Sequence, residues 1–245
     1  MSTHNRIKPE LLNELWLPGL TKCGKIFYPR KKYKEMSVLT LTSTDNFDEI
    51  DALIEKNLTR KELIKVLTNT HVKVARLETE IGKSKIFGPG RYEDIMSNGT
   101  CELIECFPFD VLNLDFFSQD PRIENGRIED ELLSIEKTIR LQKVKNHRMF
   151  ALIYTSILNS HNLDLTRIKN ISDYFSEPGW GGILISQYPD IVQQNDQKIN
   201  CIEYILSGLS QKYNYPYTHE IKIVDIERNR IAFSIMNVFG VKNMD

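Results

Sequence analysis

No apolar run in this sequence approaches the roughly 20 residues that cross a bilayer. Residues 1–7 are polar and lack the apolar centre of a secretory signal. The expectation is a soluble, cytoplasmic protein with no membrane contact. Charge of one sign is also missing: 32 Lys and Arg against 33 Asp and Glu leave a formal net charge of −1. The whole-molecule field therefore does not attract nucleic acid, and any basic surface must be local. Four cysteines, at 23, 101, 106 and 201, make no CxxC pair, and the histidines at 4, 71, 147, 161 and 219 have no HExxH spacing. Reduced, buried thiols are expected, and no metal. GxGxxG, the Walker loop and the GxSxG elbow are absent, so dinucleotide, ATP and serine-hydrolase chemistry have no support.

What is present suits one large folded unit: 245 residues, 41% hydrophobic and 27% charged. Residues 1–36 form a preface to it. Pro9 to Trp16 has helical spacing, with Leu11, Leu12, Leu15 and Trp16 on one side, and Pro18-Gly19 is expected to end it. Lys22, Lys25, Arg30, Lys31, Lys32 and Lys34 follow, interleaved with Phe27, Tyr28 and Tyr33. Cations mixed with aromatics suit a phosphate backbone and unstacked bases, and suit a solvated basic loop as well.

From Ser37 the pattern is strand and helix in alternation. Val38–Thr42 and Leu63–Leu67 are short β-branched runs, and Lys85–Phe87 is a third strand candidate. Phe47, Ile50, Leu53 and Ile54 stripe a helix whose first turn carries Asp45, Asp48 and Glu49. Cys101 and Cys106 flank an expected strand entry. Phe109–Phe117 and Met149–Thr155 are apolar on both faces, as central parallel strands are, and Ile128 to Gln142 between them keeps helical spacing. After a mixed segment at 162–197 come a helix around Ile202–Leu209 and two strands, Glu220–Ile226 and Ile231–Met236, close enough for an antiparallel hairpin. The fold class is α/β: a mostly parallel Rossmann-like sheet ending in that hairpin, spanning 37–245, with 162–197 an insertion or lid.

This order resembles the class I S-adenosylmethionine-dependent methyltransferases, in which five parallel strands are finished by an antiparallel pair. The segment Asp110-Val111-Leu112-Asn113-Leu114-Asp115-Phe116-Phe117 is similar to that family's Asp-strand-Asp segment, which faces the transferred methyl group. The resemblance implies that Asp115 and Asn113 orient a substrate amine while Phe116 or Phe117 stacks on its ring. It implies cofactor contacts from Ser43 and Asp45 after the first strand and from Thr68 after the second. Two departures count against a working pocket. The stretch Thr42 to Glu49 has no glycine, and Thr68 stands where the family has an acid for the ribose. Side chains crowd the backbone approach that glycine permits, and the missing charge-assisted bond is worth about 1.5–3 kcal/mol.

The expected function is a nucleic-acid-associated methyltransferase homologue, catalytically degenerate and acting as a subunit of a larger assembly. Lys25, Arg30, Lys31, Lys32 and Lys34 would contact RNA or DNA, and a protein partner is implied. An active RNA or DNA methyltransferase and a pure protein–protein interaction subunit stay open. So does a Mg²⁺-dependent PD-(D/E)xK nuclease built on Pro189-Asp190 and Glu220-Ile221-Lys222. The acids at 129–131 suit a solvated helix start. Gly179-Trp180-Gly181-Gly182 suits a mobile cover or a tight turn.

Overall fold

Strands buried on both faces must read as nearly unbroken apolar runs, and the central ones here do. The computed structural model describes residues 4–29, 35–42, 48–68, 82, 86–88, 90–99, 102–116, 128–158, 195–226 and 230–242. Its helices are α1 (His4–Leu11), α2 (Leu17–Phe27), α3 (Asp48–Glu55), α4 (Tyr92–Asn98), α5 (Glu102–Glu105), α6 (Ile128–Val144) and α7 (Asn195–Lys212). Its strands are β1 (Val38–Thr42), β2 (Ile64–Thr68), β3 (Ile86–Phe87), β4 (Val111–Asp115), β5 (Phe150–Leu158), β6 (Tyr217–Ile226) and β7 (Arg230–Phe239).

The strands form one sheet in the order β3-β2-β1-β4-β5-β7-β6. From β3 to β5 all pairings are parallel. β7 runs antiparallel to both β5 and β6. This is the Rossmann-like α/β sheet with a terminal hairpin that the alternation predicts. The set of apolar residues divides by the strand period of two. Val38, Val66, Val111, Ala151, Ile153 and Met236 point to one face, where α1, α2 and α3 cover them. Leu39, Leu41, Leu67, Leu112, Leu114, Leu152 and Tyr154 point to the other, under α4, α6 and α7.

The N-terminal helix does not stop at Pro18-Gly19. A π-helical turn, Leu12–Trp16, joins α1 to α2, and Pro18, which has no N–H to donate, follows directly on that break in the i→i−4 pattern. Gly19 lies against the sheet, and a Cβ there would overlap the Met236 sulfur. Glycine at this place serves close packing rather than termination. Trp16 is buried, and its indole N–H donates to Ser234 Oγ (2.9 Å). The preface is thus part of the sheet's cover. Between Cys101 and Cys106 the chain forms the helical turn α5 instead of a strand entry. Cys23 is buried, and burial pushes its thiol up to about 12, which suits the expected inert cysteine. The segment 162–194 lies outside the described residues, as do Val74, Leu77 and Ile81, whose spacing predicts a further helix.

Candidate functional site

β1 pairs with β2 on one side and with β4 on the other, so the strand order reverses between β1 and β4. Ligands of such sheets bind beyond the carboxyl ends at this reversal. By alternation along β4, Asn113 and Asp115 share the face of Val111. Both are buried there, as is Thr40 of β1 beside them.

Two residues that the sequence does not mark as site residues, Glu49 and Lys8, complete the group. Glu49, in the first turn of α3, is buried, and its Oε1 accepts from Thr40 Oγ1 (2.8 Å). Lys8 of α1 reaches across the helix–sheet boundary to both carboxylates. Its Nζ lies 2.8 Å from Glu49 Oε2 and 3.0 Å from Asp115 Oδ2. Burial alone would lower the Lys8 pKa. The charges of Glu49 and Asp115 more than offset that and hold it above the ordinary lysine value. The ammonium therefore stays charged at neutral pH, with its positive end against Asp115.

Proton bookkeeping orients the remaining member. Thr40 gives its one hydroxyl proton to Glu49, so its oxygen accepts from Asn113 Nδ2 (3.2 Å). That turns Asn113 Oδ1 away from Thr40, and this buried oxygen accepts no hydrogen bond. The only hint of this network in the sequence was a charge set within an apolar stripe: Lys8 beside Ile7 and Leu11, Glu49 beside Ile50.

The end of β2 is closed by backbone. Thr68 is buried, and its carbonyl accepts from Gly90 N–H (3.1 Å). Gly88 has φ +115°, and a Cβ on it would overlap the Thr68 carbonyl oxygen. Gly88→Ala is expected to destabilise the fold by about 1–2 kcal/mol, read as a lower urea midpoint. A change under a few tenths would mean that this loop is not seated on β2.

Phe116 does not join Asn113 and Asp115. It follows the pleat to the opposite face and packs edge-on against Tyr92 and Tyr154, with centroids 6.2 and 5.8 Å away. The acidic start of α6 also departs from its expectation. Asp130 is exposed, but Glu129 and Glu131 are buried, because α6 lays this side on β5. Glu131 accepts from Tyr154 OH (2.7 Å) and Ser156 Oγ (3.2 Å). Burial holds its carboxyl well above the usual carboxylate range. Asp110, at the far end of β4, serves a different purpose. It accepts from Tyr28 OH and the Ser37 amide (both 2.8 Å) and from Ser37 Oγ (2.9 Å), and faces His147 Nε2 at 3.3 Å. Burial would raise its pKa, but these donors hold it low, and they tie the end of α2 to the start of β1.

Of the basic residues, Lys22 and Lys25 stand on α2 and not on a loop. Lys22 pairs with Glu220 at 3.4 Å, and Lys25 is exposed. Arg30, Lys31, Lys32, Lys34, Ser43, Asp45 and Phe117 lie outside the described residues. So do Asp190 and Trp180. Glu220 and Lys222 of β6 face the N-terminal helices, where Lys222 pairs with Glu10 (3.2 Å) and Glu14 (2.6 Å). Among the described residues no His, Cys, Asp and Glu side chains group in threes that could hold a metal, and no helix is long and apolar enough to cross a membrane. No protein-family model and no curated protein matches this chain.

Proposed function

We propose that this chain is a nucleic-acid-associated homologue of the class I S-adenosylmethionine-dependent methyltransferases, catalytically degenerate and acting as a subunit of a larger assembly. The run of parallel strands finished by an antiparallel pair supports the kinship. One observation carries the degenerate reading: the Lys8 ammonium lies 3.0 Å from Asp115, on the carboxylate that would face a methyl donor or an acceptor amine. A substrate amine would have to displace a charge already paired with two buried acids.

At the end of β2 the described residues offer S-adenosylmethionine no acid for its ribose. A ribose needs an accessible acid at the end of β2, and Thr68 is buried, with Gly90 on its carbonyl. No step of methyl transfer is derived through this site. A second reading, the active methyltransferase, is favoured by the unpaired Asn113 Oδ1, an acceptor that a ligand amine would satisfy.

Calorimetric titration with S-adenosylmethionine separates the two. Absent or millimolar binding supports the degenerate subunit, and micromolar binding overturns it. For the nucleic-acid part, Lys31→Glu, Lys32→Glu and Lys34→Glu together are expected to weaken retention of RNA or DNA at low salt. Unchanged retention removes the N-terminal segment as the contact. A stoichiometric protein partner recovered without nucleic acid would favour the pure interaction subunit.

A further inference from the structure

Residues 137–149 contain Lys137, Arg140, Lys143, Lys145 and Arg148 and no carboxylate. The structure gathers this run at the end of α6 and the turn before β5, and adds charge from another element. Tyr215 ties the turn to the chain after α7, its hydroxyl donating to the His147 carbonyl (2.7 Å), and Lys143 Nζ stands 4.9 Å above its ring. Gly240 abuts the Arg148 carbonyl so closely that a Cβ would overlap it. Lys242 follows two residues on. Arg140, Lys143, Lys145, Arg148 and Lys242 are all exposed. None of the five takes part in an ion pair.

We infer that this end of the sheet is a phosphate-binding surface for a nucleic acid. The inference rests on the nucleic-acid part of the reading above, but uses none of its residues. A chain of net charge −1 that leaves five exposed cations uncompensated in one area has built a local positive field. The dipole of α6 accounts for Lys143 in its last turn, and does not account for Arg148 or Lys242. A bilayer is the poorer match. Lipid binding wants an apolar face to insert, and Val144, 68% exposed, is the single large apolar side chain fully in the open here among the described residues.

The surface is also separate from the β4 site. Asp115 is level with Thr155, five residues along β5 from its first residue, Phe150. That is on the order of 16 Å of strand. Nucleic acid bound here would leave the Lys8 end of the sheet free for a protein partner.

The test is fluorescence anisotropy of the full chain with a labelled single-stranded RNA and a DNA duplex, across about 50–200 mM salt. The variant is Lys143→Glu/Lys145→Glu/Arg148→Glu, all at exposed positions. Its circular dichroism and melting temperature should match the wild type. Expected are a loss of affinity of about tenfold or more at low salt and a log–log salt slope shallower by roughly 2–3, since each phosphate contact contributes about 0.7–0.9. The preferred probe tells strand from duplex. The Lys31, Lys32 and Lys34 variant is run beside it. If that variant loses binding while this one keeps the wild-type affinity and slope, this inference falls and the N-terminal reading stands. The reverse outcome supports this surface and removes the N-terminal one. Binding to phosphatidylserine vesicles with none to either nucleic acid overturns the assignment.

Discussion

Replacing Lys8 by methionine is expected to lower the free energy of unfolding by about 3–5 kcal/mol, the range for breaking a buried ion pair from one side. Methionine keeps an apolar stem of similar length beside Ile7 and Leu11, so packing changes little. The loss is electrostatic. Glu49 and Asp115 have side chains only 3% and 2% exposed and would be left facing each other without the cation. Such a penalty is a large share of the about 5–15 kcal/mol that holds a typical domain together. The Lys8 pKa is raised in the fold, so the pair contributes fully below the ordinary value of 10.5 and fades only as pH rises through the higher folded value. The triple variant Lys8→Met/Glu49→Gln/Asp115→Asn should recover most of the loss, because it removes the stranded charges as well. Urea unfolding of the wild type, the single and the triple variant makes the comparison. A single variant within about 1 kcal/mol of wild type would mean that the acids are neutralised by other means, and the occlusion of β4 by α1 would lose its basis.

This dependence explains which parts of the fold were readable from the sequence. β4 and β5 were legible because burial on both faces demands uninterrupted apolar residues, and Phe109–Phe117 and Met149–Thr155 supply them. The terminal hairpin was legible because only four residues separate the two expected strands, Glu220–Ile226 and Ile231–Met236. The site was legible in half. Asn113 and Asp115 are singled out by the resemblance of their strand to the Asp-strand-Asp segment, but their partners Lys8 and Glu49 are not. Lys8 and Asp115 are more than one hundred positions apart, and nothing local in α1 announces that its lysine turns inward. Charged residues at helix starts are usually solvated, so Glu49 and Glu131 were given the ordinary explanation. Phe116 was misassigned by adjacency: neighbours along a strand point to opposite faces, so the residue next to Asp115 is the one least able to share its site. Pro18-Gly19 was read as a stop because its neighbours in sequence say so. Its actual constraint, the Met236 side chain, comes from β7 at the other end of the chain.

Glu131→Gln should stabilise the protein at neutral and alkaline pH, with a gain that grows as pH rises above 4.5. The carboxyl is wholly buried between α6 and β5. Burial raises its pKa, the negative charge of Glu93 adds to the rise, and the bonds from Tyr154 and Ser156 and the charge of Arg91 reduce it without cancelling it. Tyr154 is raised as well, by burial and then by Glu131. The sign follows from proton counting. Below the ordinary value of 4.5 the carboxyl is protonated in both folded and unfolded chains. As pH climbs above it, the unfolded chain releases its proton while the folded one keeps it, so stability declines until the folded value is passed. Glutamine has no proton to lose. Its amide oxygen can still accept from Tyr154, and its NH₂ can donate to Ser156, replacing the acid proton that the neutral carboxyl would share there. Urea midpoints of wild type and Glu131→Gln should therefore nearly coincide below pH 4.5 and separate as pH rises above it, with the variant higher. Other groups that titrate over this range are common to both proteins and cancel in the difference. Parallel curves over the whole range would show that Glu131 ionises freely in the fold. The close packing of α6 on β5 around that carboxyl would then be wrong.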